Sequence, residues 1–302
     1  MDLLTRPETS AAPAGRPRST RPDGGMRGVA GAACSMVLIG TLMAVSATIG
    51  DYPLFTGQAI RYGLAALILL PLLLRAPVLP RGIREWGLLT ALAATGLVGF
   101  NYCLVEASRS ADPATVGAVV GASPVVLAVA GPLIGGYRPS TRVIGCALVV
   151  AAGAALANGL GDGDPRGLLF SLGALGGEVL FSLLAVPLLP RLGPLRVSVY
   201  STLLALPLLL AAALLTGESP RLPTPAEGTA FAYVGVVITA GTFLLWFDAL
   251  GRLGPDRAAL FGGLIPVSAA ATGVVLGLGA PAPGQLLGCL LVAVGVTCGV
   301  RR

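Results

Sequence analysis

Histidine and lysine are absent from this 302-residue sequence, and charged residues make up only 11% of it. Without histidine, imidazole-dependent catalysis, the common histidine zinc sites and a histidine proton relay are all excluded. All 20 basic residues are arginines, and aromatic residues account for 5% of the chain. The arginines are spread over helix ends and the N-terminal tail rather than gathered into one patch, which argues against a nucleic-acid partner.

Charge is too scarce for a chain of this length to be solvated by water. Soluble domains carry about 25% charged residues, whereas this sequence is 55% hydrophobic with a mean hydropathy of +0.85. In a bilayer, backbone groups must bond internally, so only helices or a closed barrel can span it. The apolar runs are long and do not alternate with polar residues, so the sequence predicts an all-α integral membrane protein.

The cysteines and the known nucleotide motifs add further exclusions. The five cysteines lie inside apolar runs and form no CxxC pair, which predicts neither a metal site nor a disulfide framework. No Walker-type glycine loop is present, so ATP is not the direct energy source. The sequence therefore predicts no cofactor and no metal.

Turn-like breaks divide the apolar sequence into ten predicted spans. A helix needs about 20 apolar residues to cross the hydrocarbon core. Residues 1–27 are rich in Arg, Pro, Ala, Gly and Ser, and we interpret them as a disordered cytoplasmic tail. The spans that follow are 28–49, 55–75, 86–106, 113–136, 142–160, 167–189, 195–215, 228–249, 256–278 and 283–300.

The placement of arginine predicts the orientation. With the N-terminus inside, sixteen arginines lie on the cytoplasmic side, against three in external loops: Arg109, Arg166 and Arg221. Arginine excess marks cytoplasmic loops. We therefore expect a multi-pass protein of the cell (inner or plasma) membrane with both termini in the cytoplasm, which an even number of spans allows.

The two halves of the chain repeat one another. The segment "GFNYCLVEASRSADP", which begins at Gly99, aligns with "GTFLLWFDALGRLGP", which begins at Gly241. The same offset of 142 residues relates three further pairs: Glu106 with Asp248, Pro113 with Pro255, and Pro124 with Pro266. We predict two five-helix repeats, at residues 28–160 and 161–302. An odd number of spans per repeat inverts the second copy relative to the first.

Inverted repeats are typical of alternating-access transporters, whose binding site lies near the midplane where the copies meet. A duplication that merely built a stable bundle is the alternative.

Three stretches of the sequence resemble the EamA-like branch of the drug/metabolite transporter superfamily. They are "YPLFTGQAIRYGLAALILLPLLL", "SADPATVGAVVGASPVVLAVAGPLIGG…RVIGCALVVAAG" and "GPDRAALFGGLIPVSAAATGVVLGLG…GQLLGCLLVAVG". The resemblance covers nearly all of residues 28–300. It implies ten helices, a plasma-membrane carrier of small metabolites, and a central cavity lined by the first four helices of each repeat. The glutamate that often closes the fourth and ninth helices of that family is replaced here by "GGYRPS" and "LGAPAPG", so a role tied to it does not carry over.

Glu178 lies about eleven residues into the sixth predicted span, near the bilayer centre at about 1.5 Å per residue. Ser171, Ala174 and Ser182 share its helical face. An ionisable residue at this depth is a candidate functional residue, either for a coupling proton or for a cationic substrate group. A structural hydrogen bond to a neighbouring helix is the alternative.

Arg61 is the second charge inside a span, and Gln58 and Tyr62 lie on its face. The resemblance supports this arginine, which matches the family pattern "aaiRy". A guanidinium group can bind a substrate carboxylate or phosphate with two hydrogen bonds. Neutralisation of Glu178, or snorkelling of the side chain toward the interface, is the alternative.

Two carboxylates at helix ends each have an arginine one turn away: Glu106 with Arg109, and Asp248 with Arg252. They are candidates for symmetry-related gates at opposite mouths, or else for plain ion pairs that anchor helix ends. Pro124 and Pro266 are predicted helix kinks. Four more residues are candidates to line the cavity: Asn101, Tyr102, Thr242 and Trp246.

Together these features predict a secondary transporter, in the direction of export, for a small metabolite such as an amino acid or a related compound. Transport would proceed by alternating access, with a proton as the candidate coupling ion. The predicted partners are the substrate and the lipid bilayer, in a monomer or homodimer. The alternatives are a non-transporting membrane receptor or assembly protein, and an intramembrane enzyme, which lacks support because no aspartate-rich cluster or catalytic histidine is present.

Overall fold

A computed structural model describes residues 22–75, 77–159, 164–277 and 281–300, and throughout these ranges the chain forms helices and no strands. The all-α prediction is thereby confirmed. The helices are α1 (Pro22–Gly40), α2 (Met43–Ile49), α3 (Leu54–Leu74), α4 (Gly82–Ser110), α5 (Pro113–Ile134), α6 (Thr141–Asn158), α7 (Pro165–Ala185), α8 (Leu189–Leu215), α9 (Pro225–Leu253), α10 (Pro255–Val275) and α11 (Pro283–Val300).

Nine of the described helices, α3 to α11, are long and apolar enough to cross a membrane. The first predicted span, 28–49, differs because it is divided between α1 and α2. Helix α1 also begins at Pro22, inside the predicted tail, while residues 1–21 of that tail lie outside the described part of the chain. Helices α4 and α9 are both 29 residues long, longer than the predicted spans 86–106 and 228–249.

Proline sets the start of most helices. It is the first residue of α1, α5, α7, α9, α10 and α11. Proline suits this position because its fixed φ is already helical and its missing N–H would have no partner there. At α9 the start is reinforced by a capping box, in which Thr224 and Glu227 each bond the other's backbone N–H.

The break between α1 and α2 has a local cause. The hydroxyl of Ser268 on α10 donates a hydrogen bond of 2.7 Å to the carbonyl oxygen of Val37. In a regular helix that carbonyl would accept from the N–H of Thr41; here Thr41 N–H bonds the carbonyl of Leu38 instead, at 3.1 Å. Gly40 permits the approach, because a Cβ there would lie 2.5 Å from the Cβ of Ser268.

Helices α4 and α9 each contain a π-helical segment at the same place in the repeat. The segments are Leu92–Gly99 and Tyr233–Gly241. In α9 the hydroxyl of Thr239 donates to the carbonyl of Val234, five residues earlier, at 2.8 Å. π-helical turns are rare in proteins, and those that occur often lie at functional sites.

Two tyrosines connect each repeat to a loop of the other. The hydroxyl of Tyr52 donates to the carbonyl of Arg221, in the loop between α8 and α9. The hydroxyl of Tyr200 on α8 donates to the carbonyl of Val78, in the loop between α3 and α4, at 3.0 Å. The largest buried apolar cluster lies among these same helices, α3, α4, α8 and α9.

Helices α6 and α11, the last of each repeat, pack backbone to backbone through glycine. A Cβ on Gly288 would lie 2.5 Å from the backbone nitrogen of Ala157 and 2.6 Å from the carbonyl oxygen of Gly153. A contact this close leaves no room for any side chain, as in the small-residue interfaces of membrane helices. Gly145 aligns with Gly288 after a one-residue slip of the repeat, "GCALV" with "GCLLV", and has no atom within 4 Å of a Cβ built in the same way.

Gly288→Ala should therefore lower the thermal stability of the protein in detergent, while Gly145→Ala should leave it nearly unchanged. The first substitution forces backbone atoms apart, and overpacking of this kind costs about 1–3 kcal/mol. Unfolding temperatures of the two purified variants measure the difference. Equal stability would show that α6 and α11 do not pack as described.

Candidate functional site

The two repeats enclose a cavity of about 510 Å³. Its lining comes from α1, α3, α4, α5 and α6 of the first repeat and from α7, α9 and α10 of the second. This corrects the expectation drawn from the family resemblance in two respects. Helix α6 contributes Ala154 and Asn158, and none of the lining residues in the described chain comes from α8.

Most of the wall is apolar, and four aromatic side chains dominate it: Phe100, Phe181, Phe243 and Trp246. Phe181 and Phe243 lie 5.1 Å apart between ring centroids. A few polar groups interrupt this surface, which is the usual composition of a site for a small organic molecule.

Arg61 is the basic group of the cavity. Its Nε donates to the hydroxyl of Thr239 at 2.6 Å, and its Nη1 donates to the side-chain carbonyl of Gln58 at 3.4 Å. The π-helical segment of α9 places Thr239 there, and Gly235 lets α3 approach it, since a Cβ on Gly235 would lie 3.0 Å from the Arg61 carbonyl. The guanidinium group is thereby held in one direction and keeps further N–H donors for a ligand.

Tyr62 and Asn101 form a second polar pair on the same wall. Both side chains are buried, and the Asn101 amide donates to the Tyr62 hydroxyl at 3.0 Å and to the carbonyl of Leu97 at 2.7 Å. Tyr62 also lies under Arg61, whose guanidinium carbon is 5.4 Å from the ring centroid. This contact supports the orientation of Arg61.

Glu178 is the acidic group of the cavity. It lines the cavity from α7, and its Oε1 accepts a hydrogen bond of 3.0 Å from the hydroxyl of Ser123 on α5. Ser182, one turn further along α7, lines the cavity with it. The hydrogen bonds found for Arg61 in the described chain go to Thr239 and Gln58, so the structure does not pair Arg61 with Glu178 directly.

The structure thus brings many of the candidate residues from the sequence together at the cavity and leaves others outside its lining. At the cavity are Arg61, Tyr62, Asn101, Glu178, Ser182, Thr242, Trp246 and Pro266. Gln58 is not among the lining residues, but its side-chain carbonyl accepts a hydrogen bond from Arg61. Ser171 is buried within α7, where its hydroxyl donates to the Gly167 carbonyl, and Tyr102 lies on the outer surface between Phe55 and Phe170.

Pro124 and Pro266 lie in helices whose regular bonding changes just before the proline. In α5, the N–H of Ala122 bonds the carbonyl of Val119 at 3.1 Å, a three-residue step. In α10 the segment Ala259–Gly263 is a 3₁₀ helix. Proline removes a backbone donor, which favours such local rearrangement.

The two carboxylate–arginine pairs form, but they differ. Glu106 is buried and binds Arg109 as well as Arg166 of α7, the latter at 3.1 Å. Its carboxylate therefore ties α4 to the first helix of the second repeat. Within the described residues, the ion pair of Asp248 is with Arg252 of its own helix, at 2.6 Å, with about a third of each side chain exposed (37% and 33%).

Sequence reasoning did not single out Thr239, Ser123 or Phe181. Thr239 and Ser123 bond Arg61 and Glu178, which it did single out, and Phe181 packs against Phe243 in the cavity wall. Thr239 had a weak signal, because it lies one turn before Thr242 in an apolar run. The other two carry no pattern of their own and are identified by the contacts of the folded chain.

Comparisons with known proteins agree with this arrangement. The model of the EamA-like transporter family matches residues 26–159 and again 166–300. An uncharacterized transporter of Bacillus subtilis (strain 168), YetK, is 23% identical over 251 residues, which cover 78% of this chain and 76% of YetK. A solved structure, described only as "Crystal structure of protein", superposes with a TM-score of 0.76 at 20% identity, covering 92% of this chain and 96% of the other. The last likeness shows the fold alone.

Glu106→Gln should destabilise the protein more than Asp248→Asn. The first change weakens two charge-assisted hydrogen bonds of a buried carboxylate, one of which joins α4 to α7. Hydrogen bonds to charged groups are worth up to about 1.5–3 kcal/mol each, whereas an exposed pair within one helix contributes about 0–1 kcal/mol. Thermal unfolding of the two purified variants compares them. A larger loss for Asp248→Asn would contradict the assignment of Glu106 as the tie between the repeats.

Proposed function

Because the chain belongs to the EamA-like transporter family, we propose that this membrane transporter exports a small zwitterionic metabolite, such as an amino acid with an apolar side chain. The observation that carries the proposal is the cavity between the repeats, which combines one basic group, one acidic group and an aromatic wall. An α-amino acid presents a carboxylate, an ammonium group and a side chain, and so offers a partner to each.

Arg61 is the proposed partner of the substrate carboxylate. Guanidinium binds carboxylates in a planar, two-bonded geometry, and the bonds to Thr239 and Gln58 hold Arg61 in place. Phe243 and Trp246 then provide the apolar surface for the side chain. Such groups can be used inside a membrane because they face an internal cavity rather than lipid.

Glu178 is the proposed partner of the substrate ammonium group and the proposed carrier of a coupling proton. Its carboxyl group reaches the cavity from α7 and has a hydroxyl partner in Ser123, and the ionisable groups that share the cavity lining with it are Arg61 and Tyr62. When protonated, it would release the ammonium group. Proton movement and substrate movement would then be linked through competition for one carboxylate.

The direction and the setting of transport are part of the same proposal. The excess of arginine on one side supports a plasma or inner membrane location with both termini in the cytoplasm. Residues 28–160 and 161–302 would form two inverted repeats that expose the cavity to each side in turn. The gates proposed at Glu106 with Arg109 and at Asp248 with Arg252 would lie at opposite mouths.

A thermal-shift series tests the substrate class. Phenylalanine should stabilise the purified protein, while phenethylamine, which lacks the carboxylate, and 3-phenylpropionate, which lacks the ammonium group, should do so less. Stabilisation by phenylalanine and 3-phenylpropionate should disappear in Arg61→Gln. If none of these compounds, nor any other amino acid, raises the unfolding temperature, a receptor or assembly role becomes the better interpretation.

Glu178→Gln tests the coupling in proteoliposomes. A pH gradient should drive accumulation of phenylalanine by the unaltered protein but not by this variant, because glutamine cannot take up a proton. Exchange of phenylalanine without a gradient should persist, at a reduced rate, which separates coupling from binding. Undiminished gradient-driven flux would rule out Glu178 as the proton carrier.

A further inference from the structure

The repeat relates two glycine–proline pairs that lie at opposite ends of the same helices. Pro113 begins α5 and Pro255 begins α10, 142 residues apart, and the same offset relates Gly131, near the end of α5, to Gly273, near the end of α10. In an inverted repeat, the start of one of these helices comes near the end of the other. Two equivalent contacts are therefore possible: Pro255 with Gly131, and Pro113 with Gly273.

The first of these contacts is formed. A Cβ built on Gly131 would lie 2.7 Å from Cγ and 3.3 Å from Cβ of Pro255, and 3.5 Å from the backbone nitrogen of Asp256. Pro255 and Gly131 are both buried. The proline ring rests directly on the backbone of α5, where any side chain larger than hydrogen would push it away.

The equivalent position at the other end is different. Pro113 is exposed and lines the cavity, as does Ser108 in the last turn of α4. Gly273 is itself buried, and the Leu264–Val275 part of α10 packs against α1, α2, α6 and α11. The cavity therefore reaches the surface beside the turn between α4 and α5. This is the end of the protein where Pro113 and Gly273, the repeat equivalents of Pro255 and Gly131, are located.

An aromatic cluster extends from the cavity wall along α9, the helix that leads to the closed contact. Phe181 packs against Phe243 and Phe247, with 5.1 Å between ring centroids in each case, and Phe247 is fully buried. Toward the turn between α9 and α10 the cavity wall continues as packed, buried rings, whereas toward the turn between α4 and α5 the lining residues Ser108 and Pro113 are exposed.

We propose that Pro255–Gly131 and Pro113–Gly273 are the two alternating gate contacts of the transport cycle, the first closed in this structure and the second closing when the first opens. This inference rests on the proposed function, since it assigns the residues that gate its cavity. Both contacts consist of a ring against a bare backbone. The energy of such a contact is dispersion, small for each atom pair, so these contacts act in addition to the ion pairs proposed as gates at Glu106 with Arg109 and at Asp248 with Arg252.

The break between α1 and α2 provides a hinge for the switch between the two gate contacts. Because Gly273 is buried, closure of Pro113 on it requires a neighbour of α10 to move away, and α2 is the neighbour with a helix break beside it. The helix hydrogen bonding changes at Thr41 and Leu42, where three-residue steps separate α2 from α1. Helix α2 can therefore move while α1 keeps its contact with α10 through Ser268 and Val37.

Paired cysteines test the proposal in a variant without the five native cysteines. Gly131→Cys with Pro255→Cys should form a disulfide readily, because the 3.3 Å between their Cβ positions is close to the separation of about 3.5–4.5 Å in disulfides. Pro113→Cys with Gly273→Cys should also form one, at least tenfold more slowly, because it traps the alternate state. Counting free thiols with a maleimide–polyethylene glycol reagent measures both rates.

The same four substitutions, recombined, provide matched controls. Gly131→Cys with Gly273→Cys, and Pro113→Cys with Pro255→Cys, join opposite ends of the helices and should not cross-link in either state. Because the controls carry the same changes, a folding defect would appear in them as well, and thermal unfolding of all four double variants detects it. Cross-linking of a control pair, or none in the second gate pair of a folded protein, overturns the proposal.

The outcomes also separate this inference from the proposed function. Oxidation of either gate pair should stop phenylalanine exchange in proteoliposomes, and reductant should restore it. If both gate pairs cross-link but phenylalanine is neither bound nor exchanged, the gate assignment stands and the proposed substrate falls. If phenylalanine is exchanged but the second pair never cross-links, the gate assignment falls and the substrate stands.

Discussion

The free-energy cost of charge in hydrocarbon determines how this molecule is built. Insertion of a charged side chain at the bilayer centre costs about 2.5–3.5 kcal/mol on biological scales, and the sequence accordingly keeps most of its charges at helix ends. Arg61 and Glu178 are the exceptions, and both reach a cavity enclosed by the two repeats. The fold thus places two side chains that would be costly to expose to lipid at an internal cavity, where a small molecule could reach them.

Much of this arrangement follows from the sequence because the constraints of a membrane are strong and local. Long apolar runs must be helices, and the paired motifs at Gly99 and Gly241 reveal the duplication without any structure. The depth of Glu178 and Arg61 marks them as unusual for the same reason. That both side chains reach the same cavity depends on how the helices pack, which only the folded chain shows.

The features that escaped the sequence all depend on contacts between helices. Nothing in the sequence distinguishes Ser268 from other serines in membrane helices. In the folded chain its hydroxyl donates a hydrogen bond to the carbonyl of Val37, and the first span is divided there. The π-helical segments have no composition that sets them apart, yet one of them presents Thr239 to Arg61. Tyr102 shows the opposite error: its neighbour Asn101 reaches the cavity, but its own ring turns to the outer surface.

The two charges in the cavity have no charged counterparts in the other repeat. In the first part of each repeat, "RG" at Arg27 matches "RG" at Arg166, which sets Glu178 opposite a position near Ile39. Tyr62 falls near Tyr200, so Arg61 corresponds to a position near Val199. A duplicated protein with matching charges in both halves would hold a two-headed molecule equally well in either direction. If the proposed zwitterion binds, one arginine and one glutamate would hold it in a single pose. It would then enter and leave without turning end over end, and its mirror-image isomer would meet Arg61 and Glu178 with its remaining substituents misplaced.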